Sequence, residues 1–81
     1  MTIFASTVNS AGSHQYLCKS SAGHFYMGGP RSSAFHFKDH DDYVKFVAHL
    51  KELNWDDPRV EQYDIDVFGL VTDTVQLHIS Q

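Results

Sequence analysis

The chain has 81 residues, of which 42% are hydrophobic and 14% aromatic, and six basic against ten acidic side chains give a formal net charge of -4. A chain of this length is expected to form a single domain, residues 1–81, and its hydrophobic content argues against disorder. The negative charge disfavours direct binding to the phosphates of nucleic acids. The single cysteine, Cys18, excludes an internal disulfide and a cysteine zinc cluster.

The sequence carries no signal for export or for membrane insertion. No apolar run approaches the roughly 20 residues of a membrane span, and residues 1–8 lack the positive and apolar regions of a signal peptide. A reducing compartment also suits a chain with one cysteine. We therefore expect a cytoplasmic protein without a membrane partner.

Three short strands are predicted in the first third of the chain. Residues 3–8 form a weak candidate, and residues 14–19 and 24–27 flank a Ser-Ser-Ala-Gly segment that is typical of a hairpin turn. If these four residues form the turn, Lys19 pairs with His24 and the rest of the register follows. The register places four residues on one apolar face, namely Tyr16, Cys18, Phe25 and Met27.

A further strand and a helix follow. Phe35 and Phe37 alternate with polar neighbours and predict a strand over residues 34–38. An amphipathic helix is predicted over about residues 41–53, with its apolar positions on one face. Those positions are Tyr43, Phe46, Val47, Leu50 and Leu53. The predicted N-cap and the carboxylates of the first turn, which favour a helix start, are Asp39, Asp41 and Asp42.

Two regular alternations of apolar and polar residues, 63–67 and 74–79, predict the last strands. The predicted fold class is α+β: a mostly antiparallel sheet of five or six short strands with one amphipathic helix, about residues 41–53, packed on one face. The second face of the sheet would be uncovered. It would carry Leu17, Lys19, His24, Tyr26, His36, Asp64, Asp66, Phe68 and His78.

Two groups of residues are candidates for binding a partner. Aspartates near the helix ends and in the following segment indicate an acidic patch for a basic protein surface, and the alternative is helix capping plus ordinary solvated charge. Trp55, with Tyr63 and Phe68, is a candidate interface anchor, and the alternative is that it covers the end of the helix. The predicted partner-binding residues are Asp39, Asp41, Asp42, Trp55, Asp56, Asp57, Asp64, Asp66, Phe68 and Tyr26.

Catalytic and metal-binding patterns are weak. His36, His40 and Asp42 resemble a metal site only in composition, because the strand-to-helix junction separates the two histidines. Cys18 is expected on the core face, where a thiol has neither the access nor the lowered pKa that a nucleophile needs. The sequence has no phosphate-binding loop and no nucleophile elbow. We expect no catalytic residue, no metal and no cofactor.

In size, charge and element order the whole chain resembles small phage-encoded inhibitor proteins, including those of the anti-CRISPR type. The resemblance implies a non-catalytic domain that acts stoichiometrically in the host cytoplasm on a nucleic-acid-handling complex, with its acidic residues against basic residues of the target. A homodimeric bacterial accessory protein that buries its uncovered sheet face is the alternative. A small metal-dependent hydrolase is the third hypothesis.

Overall fold

A computed structural model describes residues 1–80. They form one antiparallel sheet of four strands, β1 (Thr2–Val8), β2 (His14–Lys19), β3 (Phe25–Gly29) and β4 (Val75–Ser80), in the spatial order β3-β2-β1-β4. The main helix is α1 (His40–Glu52), and a short helix, α2 (Gly69–Thr72), precedes β4. Three 3-10 turns span Arg31–Ser33, Pro58–Gln62 and Ile65–Phe68. Among these residues no helix has the length and apolar composition that crossing a membrane requires.

The hydrophobic core lies between the sheet and α1. The face of the sheet towards α1, which we call the core face, buries Ile3, Ala5 and Leu17. Tyr43 and Leu50 of α1 pack against them, as the apolar spacing of the helix predicts. The helix begins where the sequence predicts, because the Asp39 carboxylate accepts a hydrogen bond of 2.9 Å from the backbone N–H of Asp42.

The prediction of five or six strands is wrong, and residues 34–38 are the first reason. This segment lies between β1 and β2 and bonds to each of them at one point only, through the bridges Ile3–Phe37 and Cys18–Ala34. The backbone N–H of Phe35 donates to the carbonyl of Leu17 at 2.7 Å. Because the segment divides its hydrogen bonds between two strands, it forms a ladder with neither.

Residues 63–67 are the second reason. Tyr63 makes one isolated bridge to Phe25, and the chain then closes a 3-10 turn in which the N–H of Val67 donates to the carbonyl of Asp64. The alternation of apolar and polar residues that predicts a strand here does not reflect one buried and one exposed strand face. Val67 is fully buried whereas Ile65 is 72% exposed, so the apolar side chains point in different directions rather than to one face.

The predicted hairpin register is also wrong, by one residue. Lys19 pairs with Phe25, not with His24, because the loop holds five residues and closes with the N–H of Ser20 on the carbonyl of His24 at 2.8 Å. Gly23 supplies the left-handed conformation that this loop needs, with φ of 86°. A shift of one residue exchanges the two faces of a strand, so Leu17 faces the core.

The second face of the sheet, which we call the open face, therefore differs from the prediction. Cys18 and Tyr26 pair with each other on it, and Tyr16 lies on it beyond a bulge at Gly28. Leu17 is in the core instead, and the Lys19 ammonium lies 5.1 Å from the ring centroid of Phe25 on the core face. The other residues wrongly placed on this face lie outside the strands, namely His24, Asp64, Asp66 and Phe68.

Candidate functional site

An exposed aromatic surface lies just after α1. Trp55 is 68% exposed, and its ring centroid lies 5.0 Å from that of Phe68, which in turn lies 6.0 Å from that of Tyr63. Side chains three residues apart in a 3-10 turn align, so Ile65 emerges on the same side as Phe68. We call Trp55, Ile65 and Phe68 the Trp55 surface. The structure thus brings together the three aromatic residues that the sequence marks as an interface anchor.

Exposed carboxylates flank this surface. Asp56 follows Trp55, while Asp64 and Asp66 stand on either side of Ile65. The Asp64 carboxylate is bound by the Nε2 atom of His24, which holds it in place beside the β2–β3 loop. An apolar centre with a polar rim is the usual anatomy of a protein interface.

Asp57 differs from these carboxylates because it is already neutralised by a neighbour. The Arg59 guanidinium donates to both carboxylate oxygens of Asp57, at 3.1 Å to Oδ1 and 2.7 Å to Oδ2, and the backbone N–H of Arg59 donates to Oδ1 at 2.9 Å. These bonds, the side-chain bond first, lower the pKa of Asp57 to about 2. The residue also caps the turn Pro58–Gln62.

The predicted acidic patch is not continuous. Asp39, Asp41 and Asp42 lie at the start of α1, and the helix of 13 residues places about 20 Å between them and the Trp55 surface. Capping and the helix dipole account for these three carboxylates. Tyr26, the remaining predicted residue, is half-buried on the open face of the sheet and is therefore apart from both groups.

Sequence reasoning missed a cluster of rings on the open face. Phe4 is only 4% exposed although no helix covers it, because two imidazoles stack on it. The ring centroid of His36 lies 5.2 Å from that of Phe4, and the ring centroid of His78 lies 4.9 Å away, both nearly parallel. The Arg31 guanidinium lies 5.2 Å from the same ring, in cation–π contact.

A buried hydroxyl joins two of the histidines. Ser6 Oγ lies 2.8 Å from His78 Nε2 and 3.2 Å from His14 Nδ1, and a hydroxyl can donate one of these bonds and accept the other. Partial burial, followed by the charges of Arg31 and His14, lowers the pKa of His78. Ser6 is completely buried, so the pair does not present a serine nucleophile to a substrate.

Charge is divided sharply between the sheet and the rest of the chain. All ten acidic residues lie between Asp39 and Asp73, and all four strands lie outside that range. The strands and their connections instead carry Lys19, Arg31 and Lys38. The positions of the acidic residues along the sequence are the signal that would have revealed this division.

In the described part of the chain, neither the thiol nor the metal hypothesis is supported by the positions of the side chains. Cys18 is completely buried, and burial raises the pKa of its thiol, although on the open face rather than the predicted core face. Within residues 1–80 no three His, Cys, Asp or Glu side chains are grouped so as to hold a metal ion. Neither feature supports a hydrolase.

Comparisons with protein-family models, with curated proteins and with solved structures find no match to this chain. The functional argument therefore rests on the two surfaces described above.

Proposed function

We propose that this chain is a non-catalytic protein-binding domain that inhibits a bacterial nucleic-acid-handling complex stoichiometrically, using the Trp55 surface as its contact. The observation that carries the proposal is the 68% exposure of Trp55, which packs on Phe68 and is flanked by exposed carboxylates. Tryptophan is among the residues that contribute most to binding energy when an interface covers them. The phage-encoded inhibitors that the chain resembles would act in this way.

The charge around the surface indicates the kind of partner. Asp56, Asp64 and Asp66 give a negative rim, which favours a partner surface rich in lysine and arginine. Proteins that handle nucleic acids carry such surfaces where they bind phosphates. Occupying one of them would block nucleic acid binding without any chemical step.

The test uses two variants of the contact and one matched control. Trp55→Ala removes the anchor, and Asp66→Lys reverses one rim charge without touching the Asp64–His24 pair that orders the loop. Asp41→Lys makes the same change of charge at the far end of α1. Each tagged protein is used to capture partners from a bacterial lysate, and a captured complex is then titrated for inhibition of its nucleic acid binding.

We expect wild type and Asp41→Lys to capture the same partner. Trp55→Ala and Asp66→Lys should bind that partner at least about tenfold more weakly. Inhibition should saturate at one inhibitor per partner. Equal weakening by both lysine variants would show that net charge, not this surface, directs binding. Recovery of the chain alone as a dimer would favour the homodimer, for which the edge strand β4 offers Leu77 and Ile79, 38% and 63% exposed.

A further inference from the structure

A hollow on the open side of the sheet lies beside Phe4. It is an open depression of about 620 Å³ lined by Phe4, Arg31, Ser32, His36, Ile79 and Ser80. It belongs to the sheet and its connections, whereas the Trp55 surface lies in the segment after α1. None of the residues that line the hollow belongs to the Trp55 surface.

The polar groups around the hollow are mainly hydrogen-bond donors. Arg31 and His36 both line the hollow, and each lies 5.2 Å from the ring centroid of Phe4. His36 Nδ1 lies 3.2 Å from Thr2 Oγ1, which leaves Nε2 as the ring nitrogen that a ligand can reach. The hydroxyls of Ser32 and Ser80 add two further donors.

No carboxylate competes for these donors within the strands. The salt bridges found in residues 1–80 involve His24 and Arg59, so the Arg31 guanidinium has no carboxylate partner there. None of the four strands contains Asp or Glu. A guanidinium, an imidazole and hydroxyls lining one hollow match the oxygens of a tetrahedral anion, and none of the lining residues is Asp or Glu.

We infer that this hollow is a binding site for a phosphate group, held by Arg31 and His36 with the hydroxyls of Ser32 and Ser80. The guanidinium supplies a positive charge and two parallel N–H donors, and the imidazole supplies a further N–H donor. Both side chains contact the ring of Phe4, which reduces the conformational freedom that binding would cost them. A small phosphorylated molecule and the backbone of a single-stranded nucleic acid share this chemistry.

The test is a titration of the full chain, labelled with nitrogen-15, with inorganic phosphate at constant ionic strength. Saturable shifts of the amide signals of Arg31, Ser32, His36 and Ser80 are expected. Arg31→Gln should weaken binding about tenfold or more, because a hydrogen bond to a charged group is lost. Arg31→Lys keeps the charge but loses the paired N–H donors, so its phosphate affinity should lie between those of wild type and Arg31→Gln. Lys45→Gln on α1 should leave the affinity unchanged.

Two results would overturn the inference: shifts that do not saturate at these four residues, or equal affinity of wild type and Arg31→Gln with otherwise unchanged spectra. A second titration with a short oligothymidylate distinguishes the sources. Tighter, salt-dependent binding at the same four residues would identify nucleic acid phosphate as the ligand, and no gain over inorganic phosphate would identify a small phosphorylated molecule. Trp55→Ala should bind phosphate like wild type, so failure here leaves the proposed function intact.

Discussion

Leu17→Ala should lower the free energy of unfolding by about 3–5 kcal/mol, the upper part of the range for this substitution in protein cores. Leu17 is completely buried in the core cluster. Its backbone carbonyl accepts the N–H of Phe35 at 2.7 Å, so the strand is held from two sides and can collapse little into the cavity. For a chain of 81 residues, whose expected stability is about 4–12 kcal/mol, this loss is a large fraction.

Urea unfolding followed by tryptophan fluorescence and by circular dichroism measures the change, with the slope of the transition unchanged. Val44→Ala is the control, because Val44 is 49% exposed and its truncation should cost less than about 1 kcal/mol. If Leu17→Ala also costs less than about 1 kcal/mol, Leu17 faces solvent. The hairpin register would then be the predicted one, and the assignment of the two sheet faces would be refuted.

Two further predictions concern the open face. Gly29→Ala should lower the free energy of unfolding by about 1–3 kcal/mol in denaturant, because the added Cβ would collide with the Cys18 sulfur. In a Cys18→Ala background the cost should be smaller, and an equal cost in both backgrounds would contradict the contact. His78 has a lowered pKa in the folded protein, so the unfolded chain binds the proton more tightly, and stability should fall as the pH drops below about 6.5. His78→Gln should reduce this dependence, and an unchanged pH profile would remove His78 as its source.

Much of the candidate site follows from residue types and local spacing. Trp55 and Phe68 are marked by their aromatic character, and Asp39 by its place before an amphipathic run. The contacts between these residues do not follow from the sequence. Trp55 packs on Phe68 because of the path of the chain between residues 53 and 69, and the length of α1 separates both from Asp39.

The ring cluster of the open face shows what sequence reasoning cannot reach. Phe4 and His78 are 74 positions apart in the sequence. They meet only because the inner strand β1 pairs with the edge strand β4. Ser6 joins His14 to His78 for the same reason. No local pattern encodes such contacts, because they arise from strand order.

The sequence alone predicted the helix, its N-cap and most strand positions, because apolar periodicity, capping and turn formation depend on residues that are close in the chain. Tertiary structure decided the strand count, the hairpin register and the open face. Residues 34–38 have a strand pattern but divide their hydrogen bonds between β1 and β2. One additional loop residue before Phe25 exchanged the two faces, because side chains alternate along a strand with a period of two.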